Sequence, residues 1–588
     1  MFGGQCTNHQ MNASRFCKFL ISTHPQRYIL LLCTLNLLVM HYYIFASYKT
    51  ETDTDCTFFV DNLLGVIFDI CFLLCLFLII TWKRTKATLL LCFAVTWLWS
   101  FSSVIYSRFF FHYLTFSAIG QGDALGDGLI IRCIIDNIQL GDLYYPIAFL
   151  CFVILFYNIK GCHKVHLKLC LKGLLGILLI DIAIHAAYCA ATPQLRYPHY
   201  FMHRLYVHHM ATHRNLSQPN FAHFVRGEIR CVGAEIAINF QGKMELNEER
   251  LRTIEEIAAT TQVCDLANIK KVNQNYNVIF ILVESYMSFT SDMKENGTEV
   301  TPFLNALKRD STVYYNGKMK ENVTIGESSD GQFIYMTGLL PLRSVITVSK
   351  ARSSVLPGLP KKLGRKSHMI IPTGTAMWSQ DEMCRQYAFD HLYSSSDFND
   401  GNSSGLNDEQ VFQLAEKIDK PTCQPFFSVI LTMSMHQPYT KQIDPTFPIT
   451  DSSIPKDLAC YLNVCHYTDR QIEHYFEHLK RTGLYNNSLI VIAADHPVHN
   501  TDFGGVSKDI PLYIVNVPSN VRENMWQEEC NQIDVYTTLL DLLDIESDWY
   551  GLGHSLFSPN YSNSIDSKKW DVSEWIIRGD YFSMKTHM

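Results

Sequence analysis

Long apolar runs dominate the first third of the chain, and shorter apolar runs separated by amphipathic segments follow. Five of the early runs are long enough, or nearly long enough, to cross a bilayer. They lie at residues 28–46, 59–82, 87–106, 144–159 and 171–191. No small-residue cleavage site follows the first run, so we expect a retained helix rather than a signal peptide. The pattern predicts a transmembrane domain of five helices over residues 1–192.

The charges of the connecting loops predict how this domain is oriented. Lys83, Arg84 and Lys86 lie between the second and third runs, and lysines crowd the loop at 160–172. The loops after the first and third runs are acidic instead. The positive-inside rule therefore places the N-terminus in the cytoplasm. Five spans then place everything after residue 192 outside the cell membrane.

Residues 193–275 lack the long apolar runs of the preceding part, and we interpret them as a juxtamembrane linker. Histidines, aromatic residues and arginines crowd its first part, and an amphipathic helix is expected at 245–261. The histidines could bind a metal, but their irregular spacing favours a segment lying at the lipid surface. They are His199, His203, His208, His209 and His213.

From residue 276 onwards, buried strands alternate with helices. Continuous apolar runs at 277–283, 426–432, 489–494 and 510–517 are typical of strands covered on both faces. Amphipathic segments at 467–482 and 533–543 predict helices, and Thr301 before Pro302 predicts a capped helix start. This alternation predicts an α/β domain over 276–588, with a mostly parallel sheet between helices.

Polar side chains follow two of these strands directly. Glu284 ends the first strand, and Asp495 and His496 end the third. Ligands of open α/β sheets gather at the carboxyl ends of the strands. Ser328 lies at the expected start of an apolar helix, where backbone N–H groups favour a phosphate. Together these residues predict a site for Mn²⁺, Mg²⁺ or Zn²⁺ that would activate the serine hydroxyl.

Simpler readings of the same residues remain open at this point. Ser328 and Ser329 could merely cap a helix, and Glu284 could form a salt bridge at a strand end. Cys460 and Cys465 could form a local disulfide in an exported domain. The net charge of −7, without a basic tract, argues against a nucleic-acid partner.

The soluble part resembles the alkaline phosphatase/sulfatase superfamily through motifs that occur in one order along the chain. Within it, the part resembles the lipoteichoic acid synthase family of membrane phosphoglycerol transferases, whose members also carry five N-terminal helices. The motifs are VES ending at residue 285, EVTPFLNAL at 299–307, GESSDGQF at 326–333, MW at 377–378, TMSMHQPY at 432–439, a run ending in ADH at 494–496, and IDVYTTLLDLL at 533–543.

The resemblance implies roles for individual residues. It implies Ser328 as the nucleophile, with Ser329 as the fallback, and a metal held by Ser328 together with Glu284, Asp495 and His496. Mn²⁺ is the metal we expect. A second set, which would contact the substrate headgroup, comprises Trp378, His436 and His499.

The chain also departs from the family pattern around the headgroup pocket. Gln380 stands where the phosphoglycerol transferases have arginine, and Ile371 and Thr373 stand where they have histidine and aspartate. The headgroup identity therefore stays open. The sulfatase branch is not favoured, because no C/S-x-P-x-R sequence for formylglycine occurs.

The sequence predicts a multi-pass protein of the inner (cytoplasmic) membrane with a periplasmic or otherwise extracytoplasmic catalytic domain. Its expected reaction moves a phosphoglycerol-type headgroup from an anionic phospholipid, phosphatidylglycerol, to a glycan or glycolipid acceptor through a covalent intermediate on Ser328. The alternatives are phosphoethanolamine transfer, a membrane-tethered phosphodiesterase, and a degenerate member acting as a sensor or scaffold.

Overall fold

The fold divides into two compact units in this computed structural model. One comprises Met1–Phe116 and Ile134–Ala237, and the other comprises Ser117–Cys133 and Ile238–Met588. The predicted boundaries at residues 192 and 275 stay predictions. The structure describes residues 25–47, 56–110, 113–119, 134–135, 138–159, 166–191, 223, 227–240, 242–261, 272, 275–343, 345–398, 405–499, 503–525, 527–558 and 561–587. The five histidines between 199 and 213 lie outside these residues.

Apolar helices form the first unit. They are α1 (Pro25–Ser47), α2 (Cys56–Ile80), α3 (Thr85–Phe110), α4 (Tyr144–Tyr157), α5 (Leu167–Ala191) and α6 (Glu228–Phe240). Among the residues that the structure describes, four segments are long and apolar enough to cross a membrane, namely Pro25–Ile44, Asn62–Ile80, Thr85–Arg108 and Leu140–Tyr157. The fifth predicted span, α5, is a helix of 25 residues that is not among these four. Four spans are thus supported, and the fifth stays a prediction.

The core of this unit contains a buried polar network beside its apolar side chains. The Asp69 carboxylate on α2 accepts hydrogen bonds from the backbone N–H groups of Glu228 (2.7 Å) and Ile229 (3.0 Å). Glu228 in turn accepts from the Trp99 indole at 2.8 Å and pairs with His223 at 3.0 Å. Asp69 therefore caps the first turn of α6, where backbone N–H groups lack helical partners.

The second unit is built on one sheet of eight strands. In chain order they are β1 (Asn277–Val283), β2 (Val313–Lys320), β3 (Lys366–Ile370), β4 (His391–Tyr393), β5 (Phe426–Leu431), β6 (Ser488–Ala494), β7 (Ile510–Val515) and β8 (Cys530–Asn531). Their order in the sheet is β8-β2-β7-β6-β1-β5-β3-β4. The five strands from β6 to β4 are parallel, while β7 runs antiparallel to both β6 and β2. The prediction of a mostly parallel sheet is confirmed.

Helices flank this sheet. They are α7 (Glu248–Ala259), α8 (Pro302–Arg309), α9 (Ser328–Thr337), α10 (Gln380–Tyr387), α11 (Asp408–Ile418), α12 (Lys456–Thr482), α13 (Asp534–Leu542), α14 (Ser567–Gly579) and α15 (Tyr581–His587). The central strands β1, β5 and β6 are buried along their whole length, as their continuous apolar runs predict. The domain therefore has the predicted α/β architecture.

The predicted start of α8 is confirmed, with Thr301 at the N-cap position and Pro302 first in the helix, but the Thr301 side chain does not supply the cap. The Asp469 carboxylate on α12 accepts hydrogen bonds from the N–H groups of Phe303 (2.9 Å) and Leu304 (2.8 Å) instead. The sequence left a Cys460–Cys465 disulfide open, and the structure shows both residues as free thiols. Both lie on α12 five residues apart, so their side chains leave the helix in different directions.

Candidate active site

The predicted metal ligands meet at the carboxyl edge of the sheet. Glu284 follows β1, and Asp495 and His496 follow β6, the parallel neighbour of β1. One ligand atom from each of the three lies within 4.8 Å of the others. The three residues are only 5, 3 and 7% exposed, respectively. The fold thus brings distant parts of the chain into one buried polar cluster.

Ser328 reaches this cluster from the first residue of α9. Its Oγ lies 3.1 Å from Glu284 Oε2 and 3.1 Å from His496 Nε2. The Ser329 hydroxyl donates instead to the Gly326 carbonyl at 2.7 Å. The structure therefore places Ser328, and not the alternative Ser329, beside the candidate metal ligands.

The loop before Ser328 is held by Asp330 from inside the protein. One carboxylate oxygen accepts from the Thr324 N–H (3.0 Å), the Thr324 hydroxyl (2.7 Å) and the Gly326 N–H (3.0 Å). The other accepts from the Thr347 hydroxyl at 2.6 Å. A Cβ on Gly326 would meet Asp330 Oδ1 at 2.3 Å, so only glycine fits this turn.

The ligand side chains are oriented by backbone groups. Asp495 Oδ1 accepts from the N–H groups of Ser285 and His496, both at 2.8 Å. His496 Nδ1 lies 2.7 Å from the Pro497 carbonyl, which can only accept, so Nδ1 carries the hydrogen and Nε2 is left to bind a metal. These contacts leave His496 Nε2 facing Ser328 Oγ, with the second Asp495 oxygen 3.7 Å from the same nitrogen.

The charge balance of the cluster fits a bound cation. Burial, together with the nearby Glu284 carboxylate, raises the pKa of Asp495 to about 7. Burial lowers the pKa of His496, but the Asp495, Glu284 and Glu327 carboxylates outweigh it and raise that pKa to about 9. Two buried carboxylates are costly unless a cation compensates their charge. Glu284, Ser328, Asp495 and His496 supply the oxygen and nitrogen donors that Mn²⁺, Mg²⁺ and Zn²⁺ accept.

The residues predicted to contact the substrate follow neighbouring strands. His436 comes after β5, and its Nδ1 lies 2.7 Å from the Gln437 carbonyl, so Nε2 can exchange a proton. Trp378 is half-buried in a turn between β3 and α10, with a left-handed backbone at φ 53°. Gln380 is buried, and its amide donates to Gln332 of α9 at 2.9 Å. The roles of Trp378 and His436 stay predictions.

His499 lies on the outer side of the cluster. Its ring stacks on His496 with centroids 5.2 Å apart. Its Nδ1 is 2.6 Å from Glu327 Oε2, and its Nε2 is 2.9 Å from Glu321 Oε2. The headgroup role of His499 stays a prediction, and Glu321, Glu327 and Asp330 were not identified from the sequence. Glu327 and Asp330 could have been identified from the sequence, because they lie directly on either side of the two serines.

Known proteins share both the domain and the wider architecture. Residues 276–545 match the sulfatase family model. Lipoteichoic acid synthase 2 of Bacillus subtilis (strain 168) is 27% identical over 371 residues, which cover 56% of this chain and 57% of the relative. Lipoteichoic acid synthase of Staphylococcus aureus (strain USA300) is 24% identical over 504 residues, covering 80% of this chain and 75% of the relative.

The C-terminal unit contains a sulfatase domain of the alkaline phosphatase superfamily. This domain and its homology to lipoteichoic acid synthases confirm the resemblance found in the sequence. The lipooligosaccharide phosphoethanolamine transferase A from Neisseria meningitidis shares the fold, with a TM-score of 0.53 and 14% identity over 92% of this chain and 97% of that protein. The sulfatase domain and these relatives confirm the prediction of an enzyme of this superfamily.

Proposed function

We propose that this protein is a membrane-bound, metal-dependent transferase that moves the phosphate-linked headgroup of a phospholipid to an extracytoplasmic acceptor hydroxyl. One observation carries the proposal. The Ser328 hydroxyl stands at a helix N-terminus, 3.1 Å from both Glu284 and His496 and beside the buried Asp495. Such an arrangement suits a nucleophile that attacks phosphorus.

The reaction has two displacements at phosphorus. Ser328 Oγ forms a bond to phosphorus while the bond from phosphorus to the diacylglycerol oxygen breaks, and diacylglycerol leaves as an alcohol after taking up a proton. The acceptor oxygen then bonds to phosphorus, the bond to Ser328 Oγ breaks, and the serine regains its proton. His436 Nε2 is the atom that exchanges these protons.

The metal would be held by Glu284, Asp495, His496 and Ser328. When bound, it lowers the pKa of the serine hydroxyl and neutralises charge on the phosphate. The N–H groups at the start of α9 add positive potential at the same place. Trp378 would hold the headgroup above the serine.

The membrane unit would keep this site close to its lipid donor. The loop charges favour a cytoplasmic N-terminus and an extracytoplasmic catalytic unit in the cytoplasmic membrane. From the resemblance to lipoteichoic acid synthases we infer phosphatidylglycerol as the donor and a glycan or glycolipid as the acceptor. The neutral Gln380 makes phosphoethanolamine the alternative headgroup.

Donor cleavage tests this proposal. The detergent-purified full chain, with Mn²⁺, would be given phosphatidylglycerol and phosphatidylethanolamine in separate reactions, and diacylglycerol release would be followed. We expect release from phosphatidylglycerol that depends on Ser328 and on added metal. Release from phosphatidylethanolamine alone would change the assigned headgroup to phosphoethanolamine. A free headgroup phosphate formed without an acceptor would identify a hydrolase. Release from neither lipid would overturn the proposal.

A further inference from the structure

The polar and apolar faces of helix α6 are reversed relative to those of a surface helix in a water-soluble protein. Its buried side contains Glu228 and Glu235, which are only 4 and 1% exposed. Its exposed side is apolar and consists of Gly233, Ile236, Ala237 and Phe240. A surface helix in water turns its apolar residues inward and its charged residues outward. The pattern of α6 is therefore the one expected of a helix whose outer face meets lipid.

The charged side chains of α6 all contact other residues of the membrane unit. His223 lies between the two carboxylates, with its Nδ1 3.0 Å from Glu228 Oε2 and its Nε2 3.2 Å from Glu235 Oε1. Arg230, at the edge of the exposed face, lies against the Phe68 ring of α2, with its guanidinium carbon 4.7 Å from the ring centroid. Ionisable residues inside a membrane are arranged in this way, because they turn toward the protein and pair there.

Two contacts place the start of α6 below the end of the apolar spans. Asp69, which accepts from the first N–H groups of α6, lies seven residues inside the segment Asn62–Ile80, or about 10 Å from its end. Trp99, which donates to Glu228 at 2.8 Å, lies nine residues before the end of the segment Thr85–Arg108, or about 13 Å. These two ends lie on the same side, because the segments are consecutive spans. The hydrocarbon layer is about 30 Å thick, so α6 begins between its surface and its middle.

We propose that α6 is embedded in one leaflet of the bilayer, with its exposed apolar face against the lipid acyl chains. Its 13 residues reach about 20 Å, which is less than the thickness of the hydrocarbon layer, so the helix enters the membrane without crossing it. The chain between the spans and the catalytic unit is then fixed in the membrane rather than being a free linker. The inference rests on the proposed membrane location of the first unit and not on its reaction.

Photocrosslinking tests this placement. The full chain, with the photoreactive residue p-benzoylphenylalanine in place of Ile236, would be reconstituted in vesicles of phosphatidylcholine and phosphatidylglycerol, irradiated, and analysed by mass spectrometry. Two matched chains would carry the same residue in place of Leu98, which is 59% exposed on α3, or of Glu477, which is exposed on α12. We expect phospholipid adducts at residues 236 and 98, and none at residue 477.

Three other results would overturn the inference. An adduct at residue 98 alone would exclude a lipid contact of α6 and leave the location of the membrane unit as proposed. A crosslink from residue 236 to a protein segment, in the same chain or in a second copy, would show that protein covers this face. Adducts at neither residue 98 nor residue 236 would contradict the membrane location itself. None of these results depends on turnover, so they are independent of the proposed reaction.

A polar substitution gives a second test. Ile236→Gln would place an amide among acyl chains, where it finds no hydrogen-bond partner, and should lower the melting temperature of the full chain in vesicles. Ile443→Gln is the matched control, because Ile443 is 40% exposed in the catalytic unit and Ile236 is 37% exposed. The control should melt as the natural chain does. Equal melting temperatures of Ile236→Gln and the natural chain would contradict a lipid contact at this face.

Discussion

Gly331 lies against the backbone of Asp495. A Cβ on Gly331 would come within 2.5 Å of the Asp495 carbonyl oxygen and 3.0 Å of its Cα. The contact joins α9, which begins at Ser328, to the segment that carries two of the candidate metal ligands. Since the opposing atoms belong to the backbone, they cannot rotate away. The distance between nucleophile and ligands is therefore set by the absence of a side chain at residue 331.

Gly331→Ala is predicted to impair turnover strongly. The added methyl group must push α9 away from Asp495, and a misplacement of about 1 Å can cost roughly 100-fold in rate. Diacylglycerol release by the purified variant measures the effect. Gly242→Ala is the control, because no atom lies within 4 Å of a Cβ there. Equal turnover in Gly331→Ala and the natural chain would show that this contact does not set the geometry.

Asp330→Asn is predicted to loosen the loop before Ser328. The amide can replace only one of the two acceptor oxygens, so at least one buried donor among Thr324, Gly326 and Thr347 loses its partner. An unsatisfied buried donor costs about 1–3 kcal/mol. We expect a lower melting temperature together with reduced turnover. The control Glu477→Gln, at an exposed position of α12, should change neither the melting temperature nor the turnover. Normal turnover in Asp330→Asn would contradict the role of Asp330 in holding the loop.

Asp469 is predicted to make stability depend on pH. Burial raises its pKa from 3.8 to about 7, with Glu473 and Glu299 adding to the rise. The folded state then holds a proton that the unfolded state loses above about pH 4, so this group stabilises the fold less as pH rises from about 4 to 7. Asp469→Asn cannot titrate there.

The measurement is the difference in melting temperature between the natural chain and Asp469→Asn. We expect the advantage of the natural chain to be smaller at pH 8 than at pH 5. A difference that is constant with pH, or that grows toward pH 8, would contradict a raised pKa at Asp469.

Asp69→Ala is predicted to destabilise the membrane unit. It removes the acceptor for the N–H groups of Glu228 and Ile229, and loss of such a helix cap costs about 0.5–2 kcal/mol. Thermal melting of the full chain in detergent would reveal the loss. Ile79→Ala on the same helix, at an exposed apolar position, is the control and should melt as the natural chain does. If Asp69→Ala melts at the same temperature as the natural chain, the cap does not stabilise α6.

The candidate metal ligands could be predicted from the sequence because each of them lies at the end of a buried strand. Glu284, Asp495 and His496 each come directly after a continuous apolar run, and adjacent parallel strands end at one edge, so their meeting could be predicted. Contacts between residues that are far apart in the chain could not be predicted in this way, because no local pattern marks them. The sequence could place Thr301 at the N-cap position of α8, but it could not show that Asp469, 165 residues from Leu304, accepts the first free N–H groups.

The contact between Glu321 and His499 was missed for the same reason. Glu321 and His499 are 178 residues apart, and nothing local to either suggests the contact. Strands β2 and β3 were also absent from the sequence prediction. β2 carries polar residues among its apolar ones, and β3 is only five residues long, so neither shows a long apolar run.

The central claim is that Ser328 carries the transferred group. The natural chain would be incubated with Mn²⁺ and a phospholipid donor, without acceptor, then quenched in acid and digested for mass spectrometry. Ser328→Ala and Ser329→Ala serve as paired variants, because only the first removes the hydroxyl that faces Glu284 and His496. We predict a headgroup-phosphate adduct on Ser328 in the natural chain and in Ser329→Ala, and none in Ser328→Ala. An adduct on Ser329, or full turnover by Ser328→Ala, would contradict the account.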